Sequence, residues 1–139
     1  MSAPVKLRTQ PCELAQAKVR LEHARSFVAV AELVGAEEDD ELATPSVSAA
    51  LAVLAGIAAS DAVCCRELRM RPRGQDHGRA CELLETIVPD GQAMARELSR
   101  LLAIKDDAHY GLLDVSTSRA RLALRQARNL VTAAETHIR

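Results

Sequence analysis

The chain has 139 residues, with 18 Lys and Arg against 19 Asp and Glu and a net charge of −1. That length suits a single domain over residues 1–139, with an ordinary core that needs no staples. Near neutrality excludes a molecule drawn as a whole to phosphate backbones or anionic membranes. One Phe, one Tyr and no Trp make the core aliphatic and leave no aromatic platforms for stacking bases.

The opening MSAPVKLRTQ lacks the apolar stretch of a signal peptide. Helical spacing begins just after it. Leu14, Ala17, Leu21, Ala24, Val28 and Ala31 step by threes and fours, which predicts a first helix over about residues 11–34. Pro11 is tolerated in a first turn, where its missing N–H is not needed. Gly35 ends the stripe, and the acidic run EEDDE at 37–41 reads as a solvated loop. Thr44 as N-cap with Pro45 behind it starts a second helix that continues to about residue 68. Inside it lies AALAVLAGIAASDAVCC, residues 49–65. This run is short of the roughly 20 apolar residues that a membrane span needs, and Ser60 and Asp61 interrupt it. It reads as the most buried helix of a soluble bundle, with no membrane role.

RMRPRGQDHGR at 69–79 breaks the pattern, because Pro72 and Gly74 sit poorly inside a helix. A short third helix is expected over about residues 76–87, then a turn at PDG, 89–91. The fourth spans about residues 91–109. Met94, Leu98, Leu101 and Leu102 form its apolar face, and Gly111 stops it. Ser116 or Thr117 caps a fifth helix, whose stripe is Ala120, Ala123, Ala127, Val131, Ala134 and Ile138. No period-2 alternation appears, so no strand is expected. The fold class is all-α: an up-and-down antiparallel bundle of four long helices plus one short helix.

The four cysteines, Cys12, Cys64, Cys65 and Cys81, form no C-x-x-C pair of the zinc or redox type. Neighbours on a helix point apart, so Cys64 and Cys65 do not bridge each other. The expectation is a reduced, cytoplasmic protein. No cofactor is expected, and without a second His or carboxylate at ligand spacing no metal is expected either.

Lys105 follows Leu98 and Leu101 at helical spacing and so faces inward, where an ammonium needs a partner or an exit. Asp61, midway along the apolar second helix, is the natural partner. His109 lies one turn beyond Lys105 on roughly the same face, although a helix C-terminus favours His through the dipole alone. Asp61, Lys105, His109 and Tyr110 therefore form a candidate ligand-binding cluster, with a structural ion pair as the plain alternative. Arg121, Arg125 and Arg128 make a basic stripe opposite the Ala stripe of the last helix, and such a stripe is normally solvated.

Three stretches resemble the HEPN superfamily. CCRELRMRPRGQDH closes a long helix with a basic, glycine-containing loop and a His. LLAIKDDAHYG is similar to the superfamily's L-x-x-L-R-x-x-A-D-Y-G type of segment. VSTSRARLALRQARNLV is similar to the terminal helix that follows it. The resemblance implies a small helical bundle of prokaryotic toxin–antitoxin, defence or RNA-processing systems. Many such domains are metal-independent ribonucleases that set an Arg, and a His a few residues later, across a dimer interface. Here Lys105 stands in the Arg place, Tyr110 in the His place, and His109 where an Asp is expected. Lys lacks the planar fork of Arg. Tyr, with an ordinary pKa of about 10, is a poor proton shuttle at neutral pH.

The function implied is a HEPN-like module without the standard Arg/His pair, which leans away from an enzyme without deciding the point; an enzyme here is a metal-independent ribonuclease. The module acts by forming a homodimer and by binding a partner protein, such as a cognate antitoxin, or a nucleotide-like ligand or RNA. One alternative is an active ribonuclease with a divergent site at Lys105, His109 and Tyr110. Arg71 and His77, which match the Arg–His spacing in the loop after the second helix, offer another place for it. The other alternative is a purely structural interaction protein.

Overall fold

The structure, a computed structural model, describes residues 9–139 apart from 40, 42, 43, 75 and 111–113, and only the backbone of His109 and Tyr110. It is mostly helical. Among the described residues the elements are β1 (Thr9–Pro11), α1 (Leu14–Gly35), α2 (Pro45–Leu68), β2 (Met70–Pro72), α3 (His77–Glu85), α4 (Gly91–Ala103), α5 (Lys105–Tyr110) and α6 (Thr117–His137).

The expected apolar stripes are the buried ones. Ala17, Leu21, Ala24 and Ala31 of α1 are covered, as are Met94, Leu98 and Leu101 of α4 and Ala120, Ala123, Ala127, Val131 and Ala134 of α6. Helix starts follow their local chemistry. The Gln16 side chain reaches back to accept from the Glu13 N–H at 2.8 Å. Asp76 accepts from the Arg79 N–H at 3.0 Å, and Ser116 accepts from the Arg119 N–H at 3.2 Å. Each satisfies a donor that has no partner within its helix. Glu37, Glu38 and Asp39 are exposed, as a solvated loop requires.

The core is built around α2, which packs against α1, α3, α4, α5 and α6. It has the length and hydropathy to cross a membrane, yet 72% of its most apolar stretch is buried inside the protein. Small side chains allow this. Ala49, Ala52, Ala55, Ala58, Ala59 and Ala62 are fully covered. At Gly56 an added Cβ would run into Leu101 of α4 and come within 3.2 Å of Leu130 of α6. Three helices meet at that point only because no side chain is there.

Three expectations are corrected. First, β1 and β2 form a two-stranded antiparallel sheet, with Gln10 opposite Arg71. Strands of three residues are too short to carry an alternating pattern. Arg69 starts the reversal: it ends α2 in the left-handed region at φ 56°, and its carbonyl accepts from the Cys12 N–H at 3.0 Å. Second, that pairing carries Cys12 to Cys65, and the two are joined in a disulfide with Cα atoms 5.1 Å apart. The cysteines are thus not all reduced; Cys64, buried, and Cys81, half-buried, are the free thiols. A bond across 53 positions leaves no local signature in a sequence. Cys64 and Cys65 do not bridge each other, as expected. Third, the fourth helix is interrupted. The Ile104 N–H bonds to the Leu101 carbonyl, tightening the last turn of α4, and α5 starts afresh at Lys105. The stop expected at Gly111 lies outside the described residues.

The disulfide closes a loop containing α1 and most of α2. Chain-entropy reasoning for a loop of this size gives about 4 kcal/mol of stabilisation. Urea unfolding of Cys12→Ser should show a loss of that order relative to the oxidised wild type. An unchanged midpoint would mean that the bond does not form in solution.

Candidate functional site

A cleft of about 540 Å³ lies between α1, α2, the connection from β2 to α3, and the start of α5. Val19, Leu54 and Ile57 give it an aliphatic side, while Arg20, Asp61, Arg71, His77 and Lys105 give it a charged end. Helical geometry places the α2 contribution. Leu54, Ile57 and Asp61 step by three and four, so they share one face of α2. Arg71 is the central residue of β2, His77 the first of α3 and Lys105 the first of α5. An ion pair of 3.3 Å between Asp107 and Arg119 ties α5 to the first turn of α6.

Asp61 is the hub of the charged end. Its Oδ2 accepts from Arg20 Nε at 3.1 Å and lies 3.0 Å from Arg20 Nη2. Arg71 Nη1 is 3.8 Å from the same oxygen. Gln10, across the ladder, orients Arg71: with its amide turned so that both groups are satisfied, its oxygen accepts from Arg71 Nη2 at 2.6 Å and Nε at 3.2 Å. The partner of Asp61 is therefore Arg20, supported by Arg71, and not Lys105 as its place in the sequence suggests. The close packing of α1 along α2 brings Arg20 to Asp61.

Burial raises the Asp61 carboxyl above its usual range, and Arg20 and then Arg71 offset only part of that. The asymmetry in exposure explains why. Asp61 is 10% exposed, whereas Arg20 and Arg71 are 28% and 36% exposed, so water screens the cations more than it solvates the anion. Burial lowers His77, and the nearby Lys105 lowers it further, against Asp61 and Asp76. Its imidazole is neutral at pH 7. The Cys64 thiol, buried beside Asp61, is pushed up to about 12 and stays protonated.

Among the described residues, three cations against one carboxylate leave an excess of two positive charges facing the cleft. Such an end suits a phosphate-like anion, and the aliphatic side suits an apolar body attached to it. Among the described residues no group of His, Cys, Asp and Glu could hold a metal ion.

Of the residues singled out in the sequence, Asp61 and Lys105 share this cleft, as expected. Arg71 and His77, weighed there as a separate place, line the same cleft. His109 and Tyr110 end α5, and their side chains lie outside the described residues. Arg121, Arg125 and Arg128 are exposed on α6, where Arg128 pairs with Glu32. Sequence reasoning missed Arg20 and Gln10. Arg20 sits one residue from the buried stripe of α1, a weak signal at best. Nothing local points to Gln10, whose role depends on strand pairing. No known protein family matches this chain, and no curated protein is significantly similar to it.

Arg20 and Asp61 should be coupled by about 0.5–3 kcal/mol in a double-mutant cycle of thermal melts. Additive losses from Arg20→Ala and Asp61→Ala would dissolve the pair. The raised Asp61 carboxyl also fixes a pH dependence. The folded chain holds this proton to higher pH than the unfolded chain does, so the contribution favours folding at low pH. It fades as pH rises from about 4 through the raised value. Asp61→Asn should flatten that part of the stability profile, read as Tm at successive pH values. A profile unchanged by the substitution would show that Asp61 ionises normally.

Proposed function

We propose that the protein is a HEPN-like helical module, an up-and-down bundle of four long helices with one short one, whose cleft binds a phosphate-bearing, nucleotide-like ligand. One observation carries this reading: Arg20, Arg71 and Lys105, from three separate elements, converge on a space that holds a single carboxylate. A phosphate supplies the missing negative charge. The two guanidiniums offer forks of donors and Lys105 a mobile point charge. A sugar or base then lies against Val19, Leu54 and Ile57 by apolar contact rather than by stacking. Among the described residues no aromatic side chain lines the cleft, so the reading does not extend to sequence-specific recognition of RNA.

On this reading the protein binds rather than catalyses. It acts through a second copy of itself or through a partner protein such as a cognate antitoxin, in a toxin–antitoxin or defence setting. Exposed apolar side chains on α1 support a protein partner: Leu33 is 72% exposed and Val30 45%. Sedimentation at micromolar concentration should show a homodimer. A monomer at every concentration would remove the second copy from this reading and leave the cleft untouched.

A second reading, metal-independent RNA cleavage, is favoured by the meeting of His77 with Arg71 and Lys105 in one cleft. A neutral His77 is able to take the proton of a ribose 2′-hydroxyl while the cations hold the phosphate.

Calorimetric titration with adenosine monophosphate separates the two readings when combined with an RNA gel in chelator. Binding should weaken about tenfold or more in Arg20→Ala and Lys105→Ala, because each removes a charge-assisted contact. RNA should remain intact. No binding by the wild type would refute the first reading. Cleavage lost in His77→Ala would establish the second, and cleavage lost in His109→Ala would move the site onto α5.

A further inference from the structure

We infer that the Cys12–Cys65 disulfide is a redox switch on this cleft, opened by a dithiol reductant, and that the oxidised protein holds phosphate more tightly than the reduced one. The inference rests on the anion-binding reading given above and concerns what sets the affinity of that site.

Arg71 sits on a three-residue strand, and a two-stranded ladder of this length is marginal by itself. Its side chain is 36% exposed and pairs with Asp61 at 3.8 Å. Gln10 holds the guanidinium at closer range, accepting from both Nη2 and Nε. Gln10 is therefore a positioning residue for Arg71, and its own place depends on β1. Beyond the ladder, Cys12 ties down the end of β1 through its N–H to the Arg69 carbonyl and through its bond to Cys65. Cys65 lies in the last turn of α2, fully buried, so the disulfide clamps β1 to the helix with the most buried residues. Opening it loosens the hold on Gln10 and leaves Arg71 with the 3.8 Å pairing to Asp61, so its guanidinium is fixed less firmly toward the cleft. Arg20 keeps its place, because α1 and Asp61 hold it.

The geometry also gives the route of attack. Cys12 borders the cleft and is 3% exposed, whereas Cys65 is wholly covered, so the cleft side of Cys12 is where the bond is approached. A thiolate of the reductant entering the cleft attacks Cys12 Sγ. The S–S bond breaks, and the electron pair leaves on Cys65 Sγ, which takes up a proton. The second thiol of the reductant then displaces Cys12, which is protonated in turn. The protein gains two electrons and two protons as two thiols, and the reductant leaves as its disulfide. Cys64 does not compete as the attacking group, since its thiol stays protonated. A bond of this kind in a reducing compartment is transient and regulatory rather than a permanent staple. A bound phosphate shields Cys12 and slows reduction; separately, tighter binding by the oxidised form means that the ligand shifts the equilibrium toward the disulfide by the same factor.

The test is calorimetric titration of adenosine monophosphate into oxidised protein and into protein reduced with dithiothreitol, with thiols counted in each. The oxidised form should bind about tenfold more tightly, the effect of one lost charge-assisted contact. Gln10→Ala in the oxidised protein should lose a similar factor with no change in melting temperature, and reduction should then cost it little more. Adenosine monophosphate should slow the release of thiols from the wild type, a readout that a purely structural bond would not give. Equal affinity of the oxidised and reduced forms, or tighter binding by the reduced one, overturns the switch and leaves the binding reading standing. Absence of binding by oxidised protein overturns both. If circular dichroism shows that reduced protein is unfolded, Gln10→Ala decides, and an unchanged affinity there overturns the switch.

Discussion

Ala52, Ala55, Ala58, Ala59 and Ala62 leave α2 with little side-chain bulk, so its neighbours approach its backbone closely and cover it on nearly every side. That close approach is the constraint from which the rest follows. A helix enclosed this way has few positions where a charge is tolerable. Asp61 occupies one at the edge of the cover, where Arg20 from α1 and Arg71 from β2 reach it. The cleft forms beside that residue. Its aliphatic side is the continuation of the same α2 face, and its charged end is where burial gives way to partly hydrated cations. Core and site are thus different faces of one helix: Ala52, Ala55, Ala59 and Ala62 turn inward, while Leu54, Ile57 and Asp61 turn toward the cleft.

The helices were legible because each carries a long stripe with the helical period. Leu14 to Ala31, Met94 to Leu101 and Ala120 to Ala134 repeat often enough to fix both type and inward face. Both ends of α2 are marked locally, by Thr44 and Pro45 at the start and by the basic, proline-containing stretch after Leu68. The two strands were not legible, because a pairing of three residues with three is decided by what lies across from each strand. The disulfide depends on that pairing and was hidden with it. The interruption at Ile104 was hidden for another reason: the residues from Leu98 to Lys105 continue a helical rhythm through it.

The site was legible in part. Asp61 and Lys105 stand out because a charge interrupts an apolar stripe, and both line the cleft. Their direct pairing does not occur, since spacing along one helix says nothing about which neighbouring helix lies closest. Arg71 and His77 illustrate the converse. They are noticed through their spacing, but only the fold brings them beside Asp61 and Lys105. Gln10 has no sequence signal at all, because its importance lies wholly in facing Arg71 across the ladder.

The bond between Cys12 and Cys65 has a topological consequence. It makes α1, the acidic stretch and most of α2 into a covalent ring, and that ring includes Val19, Arg20, Leu54, Ile57 and Asp61. Glu37 to Asp39, among the most open backbone of the ring, lie on the side of it remote in sequence from the cysteines. A single proteolytic cut there opens the ring without releasing a fragment, because both pieces stay joined through sulfur. The chain then becomes nicked yet remains one molecule, with both walls of its cleft still connected. Only a cut followed by reduction lets the N-terminal segment bearing α1 depart.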